Sequence, residues 1–208
     1  MHVKTATGPC PPDPGRHSAA AAEVFAEQGY AGASVTKITE RAGLTMGAMY
    51  FHFKNKAALA REIVVGQPDR VLPRHESVGL QRAVDITLTW AHQIREDPVL
   101  LAGARLVMEQ EEFIGQEQNS HQQWAQIFEQ ELAEAQKRGE LTGTCDESAV
   151  ARLIVNACTG AQMHAHMLTG YRDLPIRVVE MWSCLLPSVA TPDAAASIDL
   201  NTERGRAI

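Results

Sequence analysis

The sequence predicts an all-α protein, with a small N-terminal helix-turn-helix head and a larger C-terminal helical domain. Three observations predict it. Apolar residues recur at i, i+3, i+4 and i+7 along most of the chain, the spacing that lines one helix face, while the period-two alternation of strands is almost absent. Ser34, Thr45 and Asn55 each stand just ahead of a short periodic stretch, where a side-chain oxygen can cap a helix. Gly29, Gly43 and Gly139 stand where such stretches end.

Residues 1–15 hold Pro9, Pro11, Pro12 and Pro14 and read as a disordered tail. Residues 16–66 read as the head: a helix over Ala19–Gln28 stopped by Gly29, a second from Ser34 to Ala42, a third from Thr45 to His52, and a fourth from Asn55 to Gly66, ended by Pro68. Residues 67–190 read as a ligand-binding and dimerisation domain. Its helices are expected over Ser77–Arg95, from Asp97-Pro98 to near Glu112, over Asn119–Arg138, and as two final helices. The first of these carries Val150, Leu153, Ile154, Ala157, Cys158 and Ala161 on one stripe; the second carries Val178, Met181, Trp182, Leu185, Leu186 and Val189. Residues 191–208 are polar, rich in small residues, and read as a flexible tail.

Composition narrows the function. The chain has 208 residues, 45% of them hydrophobic and 21% charged, as in soluble globular proteins. No apolar run approaches the roughly 20 residues of a membrane helix, and the N-terminus lacks the apolar stretch of a secretory signal, so a cytoplasmic protein is expected. Cys10, Cys145, Cys158 and Cys184 are scattered and expected to be reduced. The net charge of −6 is unevenly distributed. Residues 1–60 carry six Lys or Arg and four acids, a net of +2; residues 61–208 carry thirteen and twenty-one, a net of −8. A basic head on an acidic body suits nucleic-acid binding by the head alone.

No enzyme constellation stands out: there is no phosphate-binding glycine loop, nucleophile elbow, or His/Cys cluster. His164 and His166 are two residues apart, pointing in nearly opposite directions on a helix, so they cannot chelate one metal together. No cofactor is expected.

The sharpest motif runs from Ser34 to Phe53. Val35, Ile38, Leu44, Met49 and Phe53 can pack inward, leaving Thr45, Met46, Tyr50 and His52 facing out. Two short helices about a glycine turn form a helix-turn-helix, whose second helix enters the major groove. The run from Gly43 to Lys56, Gly-Leu-Thr-Met-Gly-Ala-Met-Tyr-Phe-His-Phe-Lys-Asn-Lys, with Phe25-Ala-Glu-Gln-Gly-Tyr30 ahead of it, resembles the head motif of the tetracycline-repressor (TetR) family. The resemblance implies that Thr45, Met46 and Gly47 meet bases, and that Tyr50, His52, Lys56 and Lys37 meet phosphates. Two departures are visible: relatives often carry Lys where Met46 stands, and His17-Ser18 replaces a longer apolar pair.

The body carries a second resemblance. Asp97-Pro-Val-x-x-Ala-Gly-Ala-Arg-Leu106, Ala157-x-x-Gly160-x-Gln162, Leu168-Thr-Gly170 and Glu180-Met-Trp182-x-x-Leu-Leu-Pro187 resemble the γ-butyrolactone receptors, an autoregulator-sensing subgroup from antibiotic-producing actinomycetes. In that subgroup a tryptophan on the middle helix contacts the signal, and Trp124 is the matching position. Trp124, Ile127 and Phe128 share a helix face, and Thr159, Gln162 and His166 can supply hydrogen bonds, so these six are the candidate ligand residues. The resemblance implies a homodimer through the last two helices and a palindromic operator. It further implies release from that operator by a γ-butyrolactone, butenolide or furan signal, with antibiotic genes under control. Alternatives are a pseudo-receptor, or a ligand or partner module with weakened DNA binding. The coupling from body to head is expected to pass through the fourth helix, Lys56–Gly66, because it joins the two.

Overall fold

The structure, a computed structural model, describes residues 14–112 and 120–206. In chain order the helices are α1 (Pro14–Gly32), α2 (Val35–Ala42), α3 (Met46–His52), α4 (Lys56–Val65), α5 (Gly79–Gln93), α6 (Pro98–Leu106), α7 (Ser120–Lys137), α8 (Glu147–Thr169), α9 (Leu174–Val189) and α10 (Pro192–Ser197). A 3₁₀ turn, Val107–Glu112, extends α6, and another, Thr202–Gly205, closes the described chain. Among the described residues the sole β-type pairing is an isolated bridge between Leu141 and Ala190. The all-α expectation holds.

The expected caps form. Ser34 Oγ accepts from Lys37 N at 3.2 Å, Thr45 Oγ1 from Ala48 N at 3.2 Å, and Asn55 Oδ1 from Ala58 N at 2.8 Å. Each satisfies a first-turn amide that has no intrahelical partner. Gly43 adopts the left-handed conformation, φ 65°, that reverses the chain between α2 and α3.

Two expectations about the termini change. The expected tail 1–15 lies mostly outside the described residues, but Pro14 and Gly15 already belong to α1. Proline is compatible with a helix's first turn, where its missing N–H costs no bond. Residues 192–206 are not a flexible tail either: they form a strap packed on α5. Arg204 Nε and Nη2 donate to the two oxygens of Asp85, both at 2.8 Å, and Asp85 is fully buried. The carbonyl of Thr202 lies 2.8 Å from His92 Nε2, and the Asp199 backbone pairs with the Gln81 amide. Gly205 lies so close to α5 that a Cβ there would fall 2.4 Å from the Leu88 carbonyl carbon. Composition alone had marked this segment as loose; one buried carboxylate on a distant helix orders it.

The body core forms where α5, α7, α8 and α9 meet, around Leu80, Leu88, Leu132, Ile154 and the fully buried Trp182. Trp182 Nε1 donates to Thr87 Oγ1 at 2.8 Å, fixing α9 to α5. The head has its own core around Phe25, Ile38, Met49, Leu59 and Ile63. Val99, Ala102 and Leu106 of α6 complete it, so a helix expected to belong to the body alone contributes its apolar face to the head.

That packing adds a second junction between head and body. The fourth helix does join head and body, but α6 against α1 is the most extensive contact between them. α1 breaks at Gly29 (φ 69°, ψ −177°), and α6 with its 3₁₀ extension holds both sides of the break. Arg105 Nη1 donates to the carbonyls of Ala26 and Glu27 at 3.0 and 2.8 Å. Glu109 Oε2 accepts from the amides of Tyr30 and Ala31 at 2.9 and 3.2 Å. A Cβ at Gly29 would meet Glu109 Oε1 at 2.6 Å, so glycine serves here for both its φ and its bareness.

Candidate nucleic-acid face and ligand pocket

In the head, α2 and α3 form the expected two-helix unit. Ile38, Met49 and Phe53 are buried, while Val35 and Leu44 are only partly so. Thr45, Met46, Gly47 and Tyr50 are exposed together along α3 and its cap. Nothing lies within 3.4 Å of where a Gly47 Cβ would stand, so its bareness is free to serve an outside surface. The Met46 Sδ takes a weak hydrogen bond from Thr39 Oγ1 at 3.7 Å. Lys37 is exposed on α2, where its Nζ reaches Gln28 Oε1 at 2.7 Å.

Two residues sit differently. Lys56 was expected to face a phosphate, but its Nζ donates to the carbonyls of Tyr30 and Ala33 at 2.7 and 3.1 Å and lies 4.1 Å from the centre of the Tyr30 ring. It pins the end of α1 to the start of α4, and its charge is spent inside the head. His52 is half-buried, edge-on to Phe51 with ring centres 5.2 Å apart. Phe51 itself is 84% exposed on the turn after Tyr50, a large apolar side chain in water that sequence reasoning left unassigned.

In the body, a pocket holds about 520 Å³ of unfilled space, counting its mouth, between α5, the end of α6, α7 and α8. Four of the six candidate ligand residues line it: Trp124, Phe128, Thr159 and Gln162. Trp124 and Phe128 stack at 6.4 Å and form an aromatic wall. Gln162 is buried and its Nε2 donates to Ala104 O of α6 at 3.1 Å, leaving its Oε1 as an acceptor. Thr159 Oγ1 lies 3.2 Å from His121 Nε2. Burial lowers the His121 pKa, so its ring is neutral near pH 7 and can either donate or accept. Cys158 also lines the pocket, and burial pushes its thiol up to about 12, which keeps it protonated and inert.

The other two candidates fall elsewhere. Ile127 is partly buried against the body core and is not part of the pocket wall. His166 is exposed and packs on Tyr171, ring centres 5.1 Å apart. It lies one turn beyond Gln162 in sequence, but the pocket ends before that turn.

Comparison with known proteins places this architecture. The family model "Bacterial regulatory proteins, tetR family" matches residues 19–63, and "Tetracyclin repressor-like, C-terminal domain" matches residues 77–191. The chain belongs to the TetR family. Members of this family are DNA-binding regulators. Within it, the chain is 36% identical over 181 residues to the A-factor receptor protein of Streptomyces griseus, a match covering 86% of this chain and 64% of that protein's length. It is similar to crystal structures of TylP, a TetR regulator from Streptomyces fradiae, with a TM-score of 0.84, 36% identity, and coverage of 91% of this chain and 92% of that one. A γ-butyrolactone receptor described as ArpA-like follows at a TM-score of 0.68 and 25% identity, with coverage of 88% and 90%.

For a TetR-family pocket, the residues that sequence reasoning missed are as informative as those it found. Gln67, Thr87, Trp90 and His121 also line the pocket. Trp90 lies on α5, whose residues from Ala83 to Ala91 are all buried, so its stripe reads as core from every side. Only His121, two positions from the expected start of α7 and on the Trp124 side, offered a cue. Gln67 follows Gly66 at the end of the head, and its amide presses on Gly103 of α6, where a Cβ would fall 2.2 Å from Gln67 Cδ.

Proposed function

We propose that this TetR-family chain is a transcriptional repressor of the γ-butyrolactone-receptor type, released from a palindromic operator when a small, largely apolar signal fills the pocket beside Trp124. The observation that carries the reading is one continuous chain of contacts. Gln162 in the pocket wall holds Ala104 of α6, and the next residue, Arg105, holds the carbonyls of α1 just before its break at Gly29 in the head. A ligand that competes for Gln162 or presses on Val107 acts directly on the helix that positions the head. Release then requires only that the ligand prefer one of two α6 positions by a few kcal/mol.

Within that reading, Thr45, Met46 and Gly47 approach bases, while Tyr50, Lys37 and the exposed Lys54 supply phosphate contacts. Phe51 joins this face. Lys56 positions α4 and α1. The signal is of the γ-butyrolactone, butenolide or furan class, with Trp124 and Phe128 stacking on it and Gln162, Thr159 and His121 supplying polar contacts. Similarity to the A-factor receptor and to an ArpA-like γ-butyrolactone receptor supports this ligand class.

A second copy of the chain covers the outer face of α8. Leu153, Met163, Met167 and Leu168 are 40–68% exposed there, with Ile176 of α9 beside them. Leu153, Gly160, Met163 and Met167 fall on one helix face by the 3.6-residue period, and nothing lies within 4 Å of Gly160's missing Cβ. An apolar stripe of that length is what two-fold pairing of α8 and α9 would bury.

The experiment is equilibrium binding to the chain's own upstream DNA, with Trp124→Ala and Gln162→Ala compared against the parent. The reading expects Trp124→Ala to bind DNA as the parent does and to lose release by a synthetic γ-butyrolactone, and Gln162→Ala, which deletes the bond to Ala104, to bind DNA more weakly even without ligand. Variants that still release normally would take the pocket out of the mechanism.

A further inference from the structure

A second cleft lies apart from the Trp124 pocket, and its chemistry is the opposite. It is open, about 1000 Å³ counting the solvent at its mouth, and polar, lined by His92 and Gln93 at the end of α5, Arg95 and Glu96 just after it, Arg172 in the turn before α9, and Arg206 at the end of the strap. Three guanidinium groups from three separate elements thus face one space with a single carboxylate among them. This occurs in a body whose net charge from residue 61 onward is −8.

The arginines are poorly neutralised. Arg206 pairs with Glu203 at 3.1 Å, with both side chains more than half exposed, a geometry worth little. Among the described residues Arg95 and Arg172 make no ion pair, whereas Arg41, Arg138, Arg177 and Arg204 all do. The buried Gln93 Oε1 has no hydrogen-bond partner there either. Like charges gathered in one cleft repel one another, and an anion that bridges them removes that cost.

A left-handed pair of residues sits at the cleft edge. Gly170 and Tyr171 are successive left-handed residues, φ 60° and 66°, and Tyr171 is the sole non-glycine residue with positive φ among those described. The consequence is that the Tyr171 ring is buried in the cleft wall while Arg172, the next residue, is exposed at its edge.

We propose that this cleft binds a compact multivalent oxyanion, the chemistry shared by a phosphate ester and a tricarboxylate. Arg95, Arg172 and Arg206 donate to the anion's oxygens. Guanidinium forks suit this chemistry because each offers paired donors to two oxygens. A bound anion would tie the end of α5, the α8–α9 turn and the strap together. This site is independent of the apolar signal in the other pocket.

The test is titration calorimetry of the full chain at low ionic strength with pyrophosphate, with citrate and with chloride, in the parent and in an Arg95→Gln/Arg172→Gln double variant. The proposal expects saturable binding of pyrophosphate or citrate but not chloride, weakened about tenfold or more in the double variant. Stronger binding of one anion identifies the phosphate or the carboxylate source. Operator binding without anion, and the melting temperature without anion, stay at parent values in the double variant, which separates loss of the site from loss of fold. If the double variant melts early, Arg172→Gln alone is used, because that side chain is exposed. Equal binding by parent and variant, no saturable binding at all, or binding abolished instead by Lys37→Ala in the head would each overturn the proposal.

Discussion

The head presents its exposed residues from one short stretch, Lys37 to Lys54, in which two capped helices and a glycine turn set the side chains' directions. The body's pocket gathers side chains from Gln67 to Gln162, carried on four separate helical elements and a connector. In the head, local chemistry suffices: Ser34, Thr45 and Asn55 cap, Gly43 turns, and the outward residues follow. In the body, each wall residue depends on how its helix is rotated against others far away in sequence. The two regions then meet through α6, which belongs by packing to both.

The comparison is broken most forcefully from the body side. Trp182→Ala removes a fully buried indole and its bond to Thr87, and is expected to cost about 3–5 kcal/mol in chemical denaturation. Because α6 is shared, the head should unfold in the same transition. A head that melts separately and unchanged would mean that the two regions are less interdependent than their packing.

Next in size is the clasp of the strap. Burial pushes the Asp85 carboxyl up, but hydrogen bonds from Arg204, Ser77 and Gln81 outweigh it and hold its pKa below the usual carboxylate value. Its contribution is therefore fully present above the unfolded value of about 3.9 and is lost as pH falls through the lower folded value. Asp85→Asn is expected to cost about 3 kcal/mol at neutral pH. The gap to the parent should narrow only below about pH 4. A gap that closes between pH 5 and 7 would contradict the clasp.

Coupling comes third. Arg105→Ala deletes two bonds to α1 just before its break at Gly29, while leaving the pocket lining intact. Release of DNA by ligand should weaken roughly tenfold, within the 1–3 kcal/mol typical of such couplings. Ligand affinity itself should change little. Unchanged release would move the coupling to α4, whose Val65 carbonyl accepts from Gln123 of α7 at 2.9 Å.

The smallest effect is the most diagnostic for the head. Lys37→Ala should lower the salt slope of operator binding by about one unit per subunit, as one phosphate contact is lost. Lys56→Met should leave the slope in place and instead destabilise the head by about 1–2 kcal/mol, because its bonds run to Tyr30 and Ala33. Reversed results would restore Lys56 as a DNA contact.

These contrasts explain what was legible in the sequence. Caps and turn glycines act within a few residues, so α2, α3 and α4 could be placed closely. Trp124, Phe128, Thr159 and Gln162 were found because helical spacing and a family resemblance agreed on one face. Ile127 and His166 shared those helices but not the pocket, since a helix rotated by one residue presents a different edge. The internal bonds of Lys56 were not legible because a basic residue beside a helix start looks the same in sequence whether it meets a phosphate or two carbonyls. The strap was invisible because Arg204 and Asp85 are 119 positions apart, and small polar residues carry no periodicity.

The central claim is that filling the Trp124 pocket lowers the head's affinity for its operator. It is tested most directly by titrating the full chain onto its own upstream DNA across a salt series, with and without saturating synthetic γ-butyrolactone or an extract of a producing culture. The account predicts binding that weakens with salt and falls by tenfold or more when ligand is present. Operator affinity that stays the same while Trp124 fluorescence shows the pocket to be occupied would contradict it.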